Sequence, residues 1–174
     1  MLTTTIAELV KDKRVILVGN SVEIMNYEYG DFIDSFDIVI HHGASIARTE
    51  HQFKSLGSKT HIWVTGSFRL NTYYNVEEEF LNGRYKDTMI LFNRVRTKLL
   101  NVEDIVKWEN QLPPLPRIDM FNDIEIAQML HELKYMKGFG DGYYGPRNGM
   151  RPSGGFMTLL YFTKKVTTYK SLDI

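Results

Sequence analysis

The stretch RVILVGNSVEIM, Arg14 to Met25, decides how the chain is read. Val15 to Val18 is a short, uninterrupted β-branched and aliphatic run that stops at Gly19. A run of this kind, without polar alternation, suits a strand covered on both faces. Gly19-Asn20-Ser21 then follows at what would be the strand's carboxyl end. Glycine lets a backbone come close to a ligand, Asn offers an amide donor and acceptor, and Ser a hydroxyl. The same three residues also suit a strand-to-helix turn with Ser21 as N-cap, and on spacing alone that turn is the favoured reading. The spacing matches neither G-x-G-x-x-G nor a P-loop.

The pattern recurs. FDIVIHHG ends at Gly43, KTHIWVTGS passes through Gly66, and TMILFNR is a fourth run of the same type. Between and around these lie stretches of helical spacing. Residues 6–10 carry Ile6, Leu9 and Val10 behind a Thr N-cap. Residues 71–87 have Gly83 near their end, and residues 101–112 run into a PPLP loop. Residues 121–140 show a stripe of Ile126, Met129, Leu130 and Leu133, and residues 155–165 have an apolar face. The tail VTTYKSLDI reads as a last strand. Strands alternating with helices predict one α/β domain over residues 1–174, Rossmann-like, with a mostly parallel central sheet flanked by helices.

Bulk properties narrow the function classes. The chain has 174 residues, 21 Lys+Arg against 21 Asp+Glu, and no cysteine. Balanced charge argues against duplex nucleic acid as a partner. Lack of cysteine rules out disulfides, thiolate metal sites and a cysteine nucleophile, and it suits a cytoplasmic setting. The apolar runs are too short to span a bilayer, and the first residues lack the continuous apolar core of a secretory signal.

Three places could carry chemistry. The first is Gly19-Asn20-Ser21. The second is His41-His42-Gly43, where alternation sends the two imidazoles to opposite faces, so that they cannot share a metal and only one could reach a ligand. The five histidines show no metal-ligand spacing, and no metal site is expected. The third is Arg151-Pro152-Ser153-Gly154-Gly155, which leads into an apolar helix after the glycine-rich loop at 138–155. Main-chain N–H groups at a helix start favour an anion, and Arg147 and Arg151 stand nearby in sequence. Tyr143 and Tyr144 could stack on a base or sugar. In the simpler reading Ser153 is an N-cap after proline.

Together these segments resemble the sialyltransferase family, which includes animal, viral and bacterial sequences. The family's large motif matches at Val18-Gly19-Asn20-Ser21, at Ile33-Asp34-Ser35 with Asp37 and Val39, and at Gly57-Ser58-Lys59-Thr60, in order within residues 18–60. Its small motif is matched by Pro152-Ser153-Gly154-Gly155. The resemblance covers roughly residues 13–70 and 150–174. It implies metal-independent, inverting transfer of sialic acid, or a related acidic sugar, from a CMP-sugar donor to a glycan acceptor, with no cofactor. It implies that Asn20 and Ser21 lie near the CMP moiety, with Gly19, His41 and Gly43 as further donor-binding positions. Ser153, Gly154 and Gly155 would lie near the donor's phosphate and carboxylate.

Departures from the family are specific. Gly43 stands where the family has a second Asn, His41 where it has an Arg, and Gly154 where the small motif has Thr. The family's later segment, with the histidine that acts as general base, has no counterpart before Ile174. Either His41 or His42 would have to substitute, or a C-terminal partner piece would supply the base. The alternatives are a catalytically inactive nucleotide-binding remnant and an interaction protein. An open edge at the last strand would invite self-association.

Overall fold

A computed structural model describes residues 5–43, 46, 49–65, 83–92, 117–120, 125 and 154–174. They form an all-parallel sheet with helices on both faces, as the alternating pattern predicts. The strands are β1 (Arg14–Val18), β2 (Ile38–His42), β3 (Ile62–Thr65), β4 (Met89–Phe92), β5 (Arg117–Asp119) and β6 (Ser171–Asp173). Their order across the sheet is β5-β4-β3-β2-β1-β6. The helices are α1 (Ile6–Val10), α2 (Gly30–Asp34), α3 (Glu50–Leu56) and α4 (Gly154–Leu160), with a 3₁₀ turn at Val22–Asn26. None of the described helices is long and apolar enough to cross a membrane.

The apolar run at 15–18 is continuous because both faces of β1 are covered. Val15 and Leu17 join Ile38, Ile40, Ile62, Val64 and Leu91 under α1 and α4, where Ile6, Val10, Met157 and Phe162 complete the main core. Ile16, Val18 and Val39 face the other way, against Ile33, Phe36 and Leu56 of the α2–α3 layer. Each such side chain contributes about 1.5–3 kcal/mol on burial, so a one-residue slip of β1 would exchange the two cores.

Local chemistry sets the ends of the elements. Thr5 caps α1 in a reciprocal box: its hydroxyl accepts from Glu8 N–H at 3.2 Å, and its own N–H donates to the Glu8 carboxylate at 2.7 Å. Helix α4 runs on as a π-helical turn, Tyr161–Lys165, closed by the Val166 N–H on the Tyr161 carbonyl at 3.0 Å. The chain then returns to the amino edge of the sheet, where Asp12 N–H donates to Thr168 O at 2.9 Å. Helix α4 is therefore antiparallel to the strands, and its first residues lie at their carboxyl side.

Two expectations change. The PPLPR stretch, read as loop, delivers Arg117 into edge strand β5, which pairs with β4 over three residues. The final strand is shorter than 166–174 suggests: only Ser171–Asp173 pairs with β1, while Val166 turns into the core. The helical readings of residues 71–82, 101–112 and 121–140 lie outside the described residues except at Glu125, and residues 83–87 form a turn.

Strand order positions the site. From β1 to β5 the chain adds strands in one direction, then crosses the opposite face through α4 and lays β6 on the other side of β1. The order reverses at β1. In open α/β sheets the crevice outside the carboxyl ends at such a reversal is where ligands bind.

Candidate functional site

Gly19-Asn20-Ser21 leaves the carboxyl end of β1 at this reversal and is exposed. Ser21 behaves as the N-cap expected of it: its hydroxyl accepts from Glu23 N–H at 3.3 Å and starts the 3₁₀ turn. That bond uses an acceptor position and leaves the hydroxyl proton to donate elsewhere. Gly19 is different. It does not have a positive φ, and a Cβ built on it would meet nothing within 4 Å among the described residues. None of the described residues requires glycine there or fills the space beside it.

Gly43 follows β2, the neighbouring strand, and is held from three sides. Its N–H donates to Val64 O at 2.8 Å, and its carbonyl accepts from the buried Trp63 indole at 2.9 Å. Its φ is +63°, the left-handed region that glycine tolerates best. A Cβ at Gly43 would stand 3.3 Å from both Cγ and Nδ2 of Asn20. The Asn20 carboxamide thus rests against Gly43 across the ends of two adjacent parallel strands. The two positions singled out by resemblance meet in space.

His41 and His42 part as alternation requires, but His41 takes the buried side. It is fully buried on the α2–α3 face. Its Nε2 lies 3.0 Å from the Leu56 carbonyl and its Nδ1 2.9 Å from the Thr60 hydroxyl. A carbonyl can only accept, so Nε2 carries the proton and Nδ1 accepts from Thr60. Burial pushes its pKa down to about 4, with the Leu56 bond and the Asp34 charge opposing and His61 adding to the fall. The expectation that His41 lies in the nucleotide site is corrected: it is a neutral core residue with both ring nitrogens engaged inside the fold. His42 is half-buried on the opposite face, the one α4 covers.

Two of the matching sequence blocks hold each other. The Asp34 carboxylate, at the end of α2, accepts from Ser58 N–H and Ser58 Oγ, each at 2.8 Å, and from Lys59 N–H at 3.0 Å. Lys59 Nζ also reaches the Asp34 carbonyl. Burial alone would raise the Asp34 pKa, but the Ser58 and Lys59 bonds and the Lys59 charge outweigh it and hold it below the usual range. Asp37 accepts from Arg14 N–H at 2.9 Å, fixing the start of β1. Thr60, the end of the second block, orients His41. These residues therefore build the scaffold behind the site.

Of the small-motif positions, Gly154 and Gly155 form the first turn of α4, while Ser153 lies outside the described residues. Helix α4 packs across β2 and starts on the strands' carboxyl side. His61, half-buried, accepts Val39 N–H on Nδ1 at 3.0 Å, and His51 is exposed. Among the described residues no three His, Asp or Glu side chains cluster to hold a metal ion. Sequence reasoning missed Trp63, whose indole anchors Gly43. An isolated Trp inside an apolar strand was the available signal, but its partner lies on another strand.

No protein-family model matches the chain, and no curated protein matches its sequence.

Proposed function

We propose that this chain is a sialyltransferase-like glycosyltransferase that holds a CMP-sugar at the carboxyl ends of β1 and β2. The observation that carries the reading is the meeting of Asn20 and Gly43 at the carboxyl ends of β1 and β2, on the β2 side of the strand-order reversal between β1 and β6 and beside Gly19. In this reading the Asn20 carboxamide pairs with the nucleotide through its donor and acceptor, and Ser21 donates its hydroxyl proton. The N–H groups of the first turn of α4, at Gly154 and Gly155, face the phosphate and the acidic sugar. Transfer inverts the anomeric carbon, needs no metal, and has a glycan hydroxyl as attacking group.

A second reading is favoured by one specific finding. His41 is engaged in the core, so one of the two histidines offered as a base is removed. A chain that binds CMP without efficient transfer fits that finding, since a positioned base contributes about 10²–10⁴-fold in rate.

Calorimetric titration with CMP and CMP-sialic acid, on wild type and Asn20→Ala, tests the shared part. Saturable binding that is lost on substitution supports it, and no binding at millimolar nucleotide refutes it. CMP release from CMP-sialic acid, with and without lactose, then separates the readings: acceptor-dependent release selects transfer, and binding without release selects the non-catalytic form.

A further inference from the structure

The segment between β1 and β2 carries a surface that the nucleotide reading does not use. Val22, Met25, Tyr27, Tyr29 and Phe32 are 84, 38, 53, 47 and 58% exposed. Among the described residues, Ile174 is the one other large apolar side chain this exposed. Scattered exposed apolar residues are normal, but a contiguous set marks an interaction site. Here the exposed side chains crowd one stretch of chain, Val22 to Phe32. Val22 and Met25 are three apart on a 3₁₀ turn and share a side. Tyr27 and Tyr29 stack with centroids 5.2 Å apart. Tyr29 and Phe32 are three apart over the first turn of α2.

The turn that presents this surface buries none of its own five residues. Short helices in proteins are ordinarily held by an apolar face turned inward; here Ile24 alone packs partly against the Ile33, Phe36 and Leu56 cluster, while Val22 and Met25 stay exposed. The platform beneath is firm. A Cβ at Gly30 would come 1.9 Å from the Phe53 carbonyl oxygen, so α2 lies directly on the α3 backbone.

The charge pattern selects the occupant. From Val15 to Ala47 the chain has no Lys or Arg, although it has 21 of them overall. Glu23, Glu28 and Asp31 stand exposed among the apolar residues. Three cations approach at the rim: Lys54, 4.0 Å from Glu28, Arg84, over the Phe53 ring at 4.4 Å, and Arg14, over the Phe36 ring at 5.1 Å. An exposed pair of that length adds little and is readily exchanged.

We infer that the Val22–Phe32 surface docks a basic amphipathic helix of a partner protein, with leucine-type side chains on the Val22-Met25-Tyr27-Tyr29-Phe32 patch and Lys or Arg beside Glu23, Glu28 and Asp31. The mode is a helix laid apolar face down on an acidic-rimmed surface, where apolar contact gives affinity and charge gives selection and on-rate. It is independent of the nucleotide reading.

The test uses the full chain, fluorescence anisotropy and three labelled helical peptides: Leu/Lys, Leu/Glu and Ser/Lys. The Leu/Lys peptide is expected to bind saturably and the other two not to bind. Affinity should fall by about tenfold or more, the loss of one anchoring contact, in Val22→Ser/Phe32→Ser and separately in Glu23→Gln/Asp31→Asn. All four positions are exposed, and melting curves confirm that the variants fold. Equal binding by wild type and both variants, or no Leu/Lys binding, overturns the inference. So does a concentration-dependent dimer abolished by Val22→Ser/Phe32→Ser, which would assign the surface to a second copy of the chain.

Discussion

His41 makes the stability of the fold depend on pH in a way that can be worked out in advance. The perturbation is acidification from pH 7.5 to 5. In the unfolded chain His41 titrates near 6.5, whereas burial in the fold holds it at about 4. Between those values the unfolded state binds the proton and the folded state does not, so stability falls as pH falls. The contribution is fully present above pH 6.5 and is lost progressively toward pH 4. At pH 5 the loss is about 2 kcal/mol, approaching roughly 3 kcal/mol at pH 4 and below. For a chain of this size that is a drop in Tm of roughly 4–8 °C by pH 5. His61, also lowered by its burial, acts in the same direction. The assay is urea unfolding at half-unit pH steps, for wild type and His41→Gln, with the imidazole titration followed by NMR. The variant should be less stable at pH 7.5 but should show a flatter slope from 7.5 to 5. Equal slopes for the two proteins, or a His41 resonance that titrates between pH 6 and 7, would refute the assignment of His41 to the core.

Other outcomes follow from the same geometry. Gly43→Ala should cost about 1–3 kcal/mol through its left-handed backbone, measured by urea unfolding, and should also weaken CMP binding, because the new Cβ presses on the Asn20 carboxamide. Gly19→Ala separates fold from site. With no clash and no positive φ, it should leave stability unchanged or raise it by about 0.4–1 kcal/mol while weakening CMP binding; a folding defect would show that the space beside Gly19 is not open. Asp34→Asn should destabilise by roughly 1–3 kcal/mol, since the charge-assisted bonds from Ser58 and Lys59 lose their acceptor charge. Because the Asp34 pKa is lowered, its contribution should vanish only under acid, as the pH falls through that depressed value, below the range in which His41 acts.

Much of this was legible in the sequence, and the reasons are physical. Strands β1 to β4 are buried runs of β-branched and aliphatic residues, and each announces itself without neighbours. Strand β5 did not, because three residues after a proline stretch carry no period. Alternation separated His41 from His42, but it could not tell which face the α2–α3 layer would cover. Asn20 and Gly43, far apart in sequence, come together at the ends of two adjacent strands. The resemblance grouped Asp34 with Ser58 and Lys59, where the contact is a carboxylate locking a loop. The Trp63 clamp on Gly43 spans two strands and lay beyond any local pattern.

The central claim is that the carboxyl ends of β1 and β2 hold a cytidine nucleotide. Amide NMR of the isotope-labelled full chain during CMP titration tests it directly. Saturable shifts are expected at Gly19, Asn20, Ser21 and Gly43, with Tyr27 to Phe32 unmoved. Shifts confined elsewhere, or none at millimolar CMP, would contradict it.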